Sequence, residues 1–389
     1  MEEEDEETRP HIIIDNGAGY CKAGLSGEIG PRAVFPSCVG YPKYASGMVG
    51  GEKKEFFVGA DAEAKRGVLK LHYPIENGVV NNWDDMEKIW GHIFTNELRV
   101  DPIEHNVMLT EAIMNPKENR EKMAQIMFET FKVPGLYIAN QGPLSLYSAG
   151  KFTGFVVESG ESVTQFIPIF DGYCLPHAIN RFDFGGKALT IFLMLLLTET
   201  GQRFSTTAER EIVKGIKEKA CYVALDFQDE IRSVEPFDYE LPDGTHVVVK
   251  DQRIRCSESI FNPNTLYYCK DIETFLKPSI IPEKGLGEAC YESIQKCEID
   301  LRKDFYNCIV LSGGNSMFKG LPERLTKEIK ALVFDSMKEE VKVIASPERR
   351  FAVYFGCDIL SSISSFKSNW ITKTEYEESG AYIVHRKCF

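Results

Sequence analysis

The strongest constraint on this chain is a short grammar that occurs twice: an apolar strand ending in an acid, a tight glycine-bearing turn, and a second strand running back. The first copy is Ile12-Ile13-Ile14 followed by Asp15-Asn16-Gly17, with the apolar pattern resuming from Tyr20 to Leu25 before Ser26-Gly27. The second is Gly154-Phe155-Val156-Val157, followed by Glu158-Ser159-Gly160-Glu161 and then alternating apolar residues from Val163 to Phe170. Each reads as a β-hairpin. Two like hairpins imply two like lobes, and a chain of 389 residues is long for a single hydrophobic core.

The turns carry chemistry. In Asp15-Asn16-Gly17-Ala18-Gly19-Tyr20-Cys21-Lys22 the glycines let successive backbone N–H groups converge on one point, a nest suited to phosphate oxygens, and Lys22 adds a cation from the returning strand. Asp15 has the placement of a group that holds magnesium through its water shell, because Mg²⁺ keeps several waters and uses few carboxylates. The alternative is a turn aspartate bonded to its own backbone. Glu158-Ser159-Gly160-Glu161-Ser162 reads as the opposing jaw for the same phosphate chain, which implies a cleft between the lobes. A third glycine turn, Leu311-Ser312-Gly313-Gly314-Asn315-Ser316, follows Ile309-Val310, where backbone without Cβ suits close approach to a flat purine. None of the three is a Walker loop, which argues against P-loop chemistry.

Between the hairpins lie helices with readable ends. Asn82 is a candidate N-cap before Trp83, Met86, Trp90 and Phe94; a second helix opens at Asn115 with Pro116 and Glu118 and buries Met123, Met127 and Phe131. Thr206 and Glu209 form a capping box for a helix carrying Ile212, Ile216, Ala220 and Val223 on one face, and Pro322 starts another with the stripe Leu325, Ile329 and Leu332. Strand hairpins alternating with capped helices define an α/β fold. Residues 41–57 and 262–287, rich in Gly, Lys, Pro and acids, read as exposed loops.

Composition removes several function classes. A formal charge of −13 argues against nucleic acid, since phosphate backbones demand Lys/Arg surfaces. The longest apolar run, from Ile191 to Leu197, is too short to enter and cross a membrane and reads as buried helix. The acidic run Glu2-Glu3-Glu4-Asp5-Glu6-Glu7 is unlike a secretory signal, which places the protein in the cytoplasm; the run itself is a solvated tail or a contact for a basic partner. The 11 cysteines are scattered without a CxxC pair, the pattern of reduced, mostly buried thiols.

Longer strings now carry a resemblance. Asp15-Asn16-Gly17 through Lys22-Ala23-Gly24, Pro31-Arg32-Ala33-Val34-Phe35-Pro36, Asn82-Trp83-Asp84-Asp85-Met86-Glu87-Lys88-Ile89-Trp90 and Asn96-Glu97-Leu98-Arg99-Val100 resemble actin. So do Leu109-Thr110-Glu111-Ala112, Asn119-Arg120-Glu121-Lys122-Met123, Thr207-Ala208-Glu209-Arg210-Glu211-Ile212-Val213, Tyr239-Glu240-Leu241-Pro242-Asp243-Gly244 and the ending Ile383-Val384-His385-Arg386-Lys387-Cys388-Phe389. The likeness runs essentially end to end. It implies two ribonuclease H-like lobes around a central nucleotide cleft, as in sugar kinases and chaperone ATPases, with ATP or ADP and Mg²⁺ (or Ca²⁺) as cofactors. The implied small-lobe core is 1–36, 74–148 and 352–389 with an insertion at 37–73; the large-lobe core is 149–184 and 282–351 with an insertion at 185–281.

By matching motif positions, the resemblance gives the phosphates to Gly17, Ala18, Gly19, Tyr20 and Lys22 from one lobe and Gly160, Glu161, Ser162 and Val163 from the other, with Asp15 and Glu158 flanking the metal's water shell. It gives adenosine to Gly186, Lys214, Lys217, Glu218, Gly313, Gly314, Met317, Phe318 and Arg350, with Phe318 as a flat apolar lid over the base. Without the resemblance, Lys214, Lys217 and Glu218 read as a solvated helix face with ordinary charge pairs.

Departures from the family fall at the γ-phosphate end. Actins carry serine, aspartate and histidine where this chain has Ala18, Glu158 and Gln165. The lost hydroxyl at Ala18 costs on the order of 1 kcal/mol, which binding survives. Glu158 adds a methylene that shifts the carboxylate. The family positions its attacking water with a glutamine, matched by Gln141, and with the histidine; Gln165 hydrogen-bonds but exchanges no proton near neutral pH. Slow or altered ATP hydrolysis is expected. Asn77 stands where most actins have a histidine that is often methylated, and Glu28-Ile29 keeps half of an acidic pair that helps receive myosin. Residues 41–57 match the DNase-binding loop, with Met48 and Val49 as apolar tips for a neighbouring subunit or else as part of a mobile surface loop; 262–287 is a longer, more charged plug loop.

The leading expectation is a cytoskeletal subunit that self-associates head to tail into filaments and meets actin-binding proteins, with myosin or dynein-arm components as further partners. The alternative is an actin-like subunit that stays monomeric inside a larger assembly such as a dynein arm or chromatin remodeller. A sugar or acetate kinase on the same fold is disfavoured by the end-to-end likeness.

Overall fold

The computed structural model describes residues 9–43, 54–241 and 243–388. The acidic run at residues 2–7, the loop tips Met48 and Val49 and most of the expected loop at 41–57 lie outside the described residues. The chain divides into two compact units, Met1–Gly150 with Phe351–Phe389, and Lys151–Arg350.

The first unit is organised by a six-stranded sheet in the order Ala33–Pro36, Tyr20–Leu25, Ile12–Asn16, Val107–Glu111, Gly135–Asn140, Ile371–Thr372. The hairpin strands run antiparallel, while Ile12–Asn16 pairs in parallel with Val107–Glu111, which pairs in parallel with Gly135–Asn140. Ile12, Ile13 and Ile14 are all fully buried. Successive side chains alternate faces, so this strand is covered on both sides, the pattern of a parallel sheet sheathed by helices. Each such side chain contributes about 1.5–3 kcal/mol of burial. The longer helices of the unit are Trp83–His92, Lys117–Gln125, Gln141–Ser148 and Ala352–Ser362.

The second unit repeats that order. Its main sheet runs Tyr173–Cys174, Thr164–Phe170, Gly154–Ser159, Ile309–Ser312, Val343–Ile344, again antiparallel through the hairpin and parallel beyond it. A common order, with the hairpin first and two parallel strands added beside its leading strand, is the ribonuclease H-like arrangement. The apolar run expected as buried helix lies in Gly186–Thr198, with Phe192, Leu193, Leu196 and Leu197 in the core.

The helix ends follow their capping chemistry in three of four cases. Asn82 accepts from the Asp85 N–H, Thr206 and Glu209 form the expected box, and Pro322 lies in the first turn of Leu321–Leu332. Asn115 is not a cap: its Nδ2 donates to Glu111 at 2.9 Å and its Oδ1 accepts from Asn119 at 3.2 Å, so the helix begins at Lys117 without a side-chain cap. Two stripes are rotated from expectation. Val213, Ile216 and Ala220 are buried on the Thr206-capped helix, while Val223 lies beyond its end; Leu321, Leu325 and Ile329 are buried and Leu332 is exposed.

The segment 262–287 corrects the exposed-loop reading. It folds into the short turns Pro263–Tyr268, Ile272–Phe275 and Pro278–Ile280, and Leu266, Ile272, Leu276 and Ile281 anchor it in the core of the second unit. Its Lys270, Asp271, Glu273, Lys277, Glu283 and Lys284 are exposed. Charge dominates the composition of the segment, while a few spaced apolar residues decide its placement.

All eleven cysteines are free thiols, and none cross-links the fold. Cys388 is buried and its Sγ accepts the Ile138 N–H at 3.4 Å, while Arg120 donates to the Cys388 carbonyl at 3.0 Å. Burial pushes this thiol up to about 12. Among the described residues no helix is long and apolar enough to cross a membrane.

Two stability effects follow. A Cβ on Gly356 would lie 2.0 Å from the Leu144 carbonyl oxygen, so Gly356→Ala forces apart Gln141–Ser148 and Ala352–Ser362 and costs about 1–3 kcal/mol, read as a lowered denaturation midpoint. Thr206→Ala removes a cap worth about 1 kcal/mol. The Glu209 carboxyl is held below its ordinary value by the Thr206 and Ser205 backbone N–H groups, so its share of that cap is present above the ordinary glutamate range and fades as pH falls through the lowered value. Denaturation of wild type, Thr206→Ala and Glu209→Gln across acidic pH checks both points: an unchanged midpoint in Thr206→Ala contradicts the first, and a wild-type to Glu209→Gln difference that grows on acidification contradicts the second.

Candidate functional site

The first hairpin ends on a buried carboxylate. Asp15 is 1% exposed, opposite Lys22 in the register, and its oxygens are fully engaged. Lys22 Nζ lies 2.7 Å from Oδ2, while Thr110 Oγ1 donates to Oδ1 at 2.8 Å and Gln141 Nε2 donates to the same oxygen at 3.1 Å. Asp15 is therefore oriented from the returning strand, the neighbouring parallel strand and the helix Gln141–Ser148. The simple turn-aspartate alternative does not describe these contacts.

Thr110 joins the parts. Besides donating to Asp15, its hydroxyl accepts the Asn16 N–H at 3.1 Å and lies 3.3 Å from Gln141 Nε2; its carbonyl accepts Asn16 Nδ2 at 3.2 Å. Trp90 Nε1 donates to Asn16 Oδ1 at 3.1 Å, fixing the other end of that side chain. Sequence reasoning passed over Thr110, although a hydroxyl in the otherwise apolar run Val107-Met108-Leu109 was the available signal.

The turn Gly17-Ala18-Gly19 is held by Ser37, whose Oγ donates to the Gly17 carbonyl at 2.6 Å and whose N–H donates to the Gly19 carbonyl at 3.1 Å. A Cβ on Gly17 would fall 2.4 Å from the Tyr20 carbonyl oxygen and 3.2 Å from Lys22 Nζ, so only glycine fits.

In the second hairpin the acid faces neutral partners across the strands. Glu158 pairs across the strands with Gln165, which is 1% exposed, and Ser159 pairs with Thr164. The Gly160 N–H closes the turn on the Val163 carbonyl at 2.9 Å. The start of helix Gly186–Thr198 docks on this turn: Gly186 N–H donates to the Gly160 carbonyl at 3.0 Å and Lys187 N–H to the Glu161 carbonyl at 2.7 Å.

The expected adenosine residues divide by burial. Lys214 and Lys217 are buried, which excludes the solvated-face reading for them, whereas Glu218 is exposed. Lys217 Nζ donates to the Gly186 carbonyl at 2.6 Å and to Thr190 Oγ1 at 3.0 Å, and Lys214 lies 3.8 Å from Glu211. Gly313 adopts φ +86°, and a Cβ there would sit 2.2 Å from the Ser159 carbonyl oxygen, so the third turn lies tightly against the second. Gly314 has open space around its Cα. Phe318 is built into the apolar core of the unit and does not stand as an open lid; Met317 is the more exposed side chain of that turn.

Arg350 is exposed, and the neighbouring Arg349 holds the third turn in place. The Arg349 guanidinium donates to the Ser316 carbonyl at 2.8 Å and the Ser346 carbonyl at 2.9 Å, and its own carbonyl accepts the Gly313 N–H at 3.3 Å. Burial pulls its pKa below the ordinary arginine value. Among the described residues, Ser162 Oγ and Asn315 Oδ1 are buried without a hydrogen-bond partner, polar atoms with capacity for a further contact.

The orphaned atoms and the cradle at Gly186 lie in the second unit, and the Gly17 turn with its convergent backbone lies in the first. Among the described residues no cluster of three acids, histidines or cysteines suits direct metal ligation. A hard cation at Asp15 would keep most of its water and address this carboxylate through it.

Two units with one strand order, each with an acid-and-glycine hairpin, define the class of α/β proteins built from paired ribonuclease H-like folds. The family model described as Actin matches residues 6–389, and the chain belongs to the actin family. Members of that family generally bind ATP or ADP with a divalent cation, and generally self-associate and bind partners.

Replacing Thr110 by the isosteric valine leaves the Asn16 N–H and Asp15 Oδ1 each short of a partner. Thr110→Val is expected to lower stability by about 1–3 kcal/mol in urea denaturation. An unchanged midpoint would sink the assigned role.

Proposed function

We propose that this chain is an ATP-binding actin of the cytoplasm that polymerises head to tail and hydrolyses its nucleotide slowly. The observation that carries the reading is the buried Asp15, aligned by Lys22, Thr110 and Gln141. Such an arrangement suits a cation-bound polyphosphate, because its cost of orientation is met in folding. The divalent cation would neutralise phosphate charge, with Asp15 and Glu158 addressing its water shell. Gly17, Ala18, Gly19, Tyr20, Gly160 and Ser162 would receive the phosphates, and Lys217 and the turn Gly313-Gly314 would define the nucleoside end.

Slow hydrolysis follows from Gln165, which is buried and cannot take up a proton as a histidine does, and from the longer Glu158. Gln141 would orient the attacking water, though its amide is already shared between Asp15 and Thr110.

A second reading, a non-polymerising actin-like subunit of a larger assembly, is favoured by one observation. The segment 262–287 is anchored in the core of its own unit by Leu266, Ile272, Leu276 and Ile281, so those apolar residues are spent internally and charged ones face out.

Ultracentrifugation after adding magnesium, salt and ATP, with a matched ADP run and phosphate release followed in parallel, separates the readings. Sedimenting filaments with phosphate release slower than that of conventional actin are expected. A soluble protein that holds ATP without releasing phosphate supports the assembly subunit, and a chain that binds no nucleotide overturns both.

A further inference from the structure

Two thiols of the second unit belong to neither strand of its hairpin. Cys221 follows the helix Thr207–Ala220, and Cys256 lies within Gln252–Glu258; both sit in the apolar core, at 7% and 0% exposure. Bonds on either side of Cys221 hold its segment across the second helix: Arg253 Nε donates to the Ala220 carbonyl at 2.7 Å, and Ser257 Oγ donates to the Tyr222 carbonyl. Cys256 and Ser257 lie three and four residues beyond Arg253, so all three share one side of that helix. The two thiols thereby meet, and they are hydrogen-bonded to each other.

Proton counting orders the pair. The Leu189 carbonyl only accepts, so Cys256 Sγ, 3.4 Å away, spends its proton there. Cys221 is then the donor between the thiols, and the lone pairs of Cys256 face the Cys221 sulfur. This arrangement suits one thiol that is oxidised and a neighbour that resolves it. Cys221 is the less enclosed of the two, and so narrow an opening admits a small oxidant such as hydrogen peroxide before a bulky one. The Cys256 contact and burial hold the Cys221 thiol well above its ordinary value, so the reaction is slow near neutral pH and quickens as pH rises.

We propose that Cys221 and Cys256 are a peroxide-oxidisable pair in which Cys256 resolves Cys221, giving a reversible disulfide that ties the end of the helix Thr207–Ala220 to Gln252–Glu258. In the first step the Cys221 sulfur attacks a peroxide oxygen, the O–O bond breaks, and the thiol proton leaves with the departing hydroxide as water; a sulfenic acid remains. In the second the Cys256 sulfur attacks the Cys221 sulfur, the S–O bond breaks, and the Cys256 proton leaves with that hydroxide as a second water. The peroxide is reduced, the two thiols are oxidised, and a dithiol reductant reverses the link. Resolution keeps Cys221 off the irreversible sulfinic and sulfonic stages. The link also reaches the helix turn that carries Lys217, whose carbonyl accepts the Cys221 N–H at 3.1 Å.

The test exposes the native full chain to graded hydrogen peroxide, quenches and alkylates it in denaturant, and maps its peptides by mass spectrometry without reductant. The half-buried Cys269 gauges the dose. At doses that oxidise Cys269, a peptide pair joining Cys221 to Cys256 and short of two hydrogens is expected, and dithiothreitol should abolish it. Cys256→Ala should remove the pair and raise sulfinic acid at Cys221 several-fold. Cys256→Ser, which keeps a donor for the Leu189 carbonyl, stands in if Cys256→Ala does not fold. Complete oxidation of Cys269 with Cys221 and Cys256 unlinked overturns the proposal, as does a link that forms only after unfolding in urea. Equal sulfinic acid at Cys221 in wild type and variant denies Cys256 its resolving role and overturns it as well.

Discussion

A carboxylate at the end of a fully apolar strand is the constraint on which the first unit depends. Asp15 follows three isoleucines that are each fully buried, so its charge sits where an uncompensated ion costs several kcal/mol. Compensation comes from three separate directions in the chain, and each demands a piece of architecture. Lys22 requires the hairpin, Thr110 requires the parallel strand beside it, and Gln141 requires a helix that begins where the next parallel strand ends. The sheet order and the local chemistry are thus one solution to one electrostatic problem.

The second unit uses the same strand order and a different means of holding its turn. Its hairpin is fixed by a one-way series of neutral donors through Asn315, Ser159 and Thr164, and by glycines that let backbone touch backbone at Gly185 and Gly313. Charge enters with Glu158 and Glu161 in the hairpin itself and with Lys217 and Arg349 on segments that join it from elsewhere in the unit. A fold shared between two halves does not oblige them to share the interactions that stabilise it.

What the sequence made legible was whatever depends on near neighbours. The hairpins, the Asn82 cap and the Thr206–Glu209 box were readable because their partners lie within a few residues. Thr110, Asn315 and Arg349 were not, because each acts on a residue that only tertiary structure brings close. Asn115 misled because its side chain found Glu111 and Asn119 in place of the helix N-terminus. Residues 262–287 misled for the opposite reason: composition averaged over the segment hid four apolar anchors. Lys214 and Lys217 could not be separated from Glu218 by type or spacing, since a helix turn puts near neighbours in different surroundings.

The setting of Cys388 has a practical side. Maleimides and iodoacetamides react with thiolates, and this sulfur is enclosed, bonded to a strand amide and kept protonated near neutral pH. A fluorophore aimed at the penultimate residue would have to peel away the chain terminus and break the contact between Arg120 and the Cys388 carbonyl. Dyes for following assembly by light therefore belong on an introduced surface cysteine, leaving the native one as part of the protein's interior.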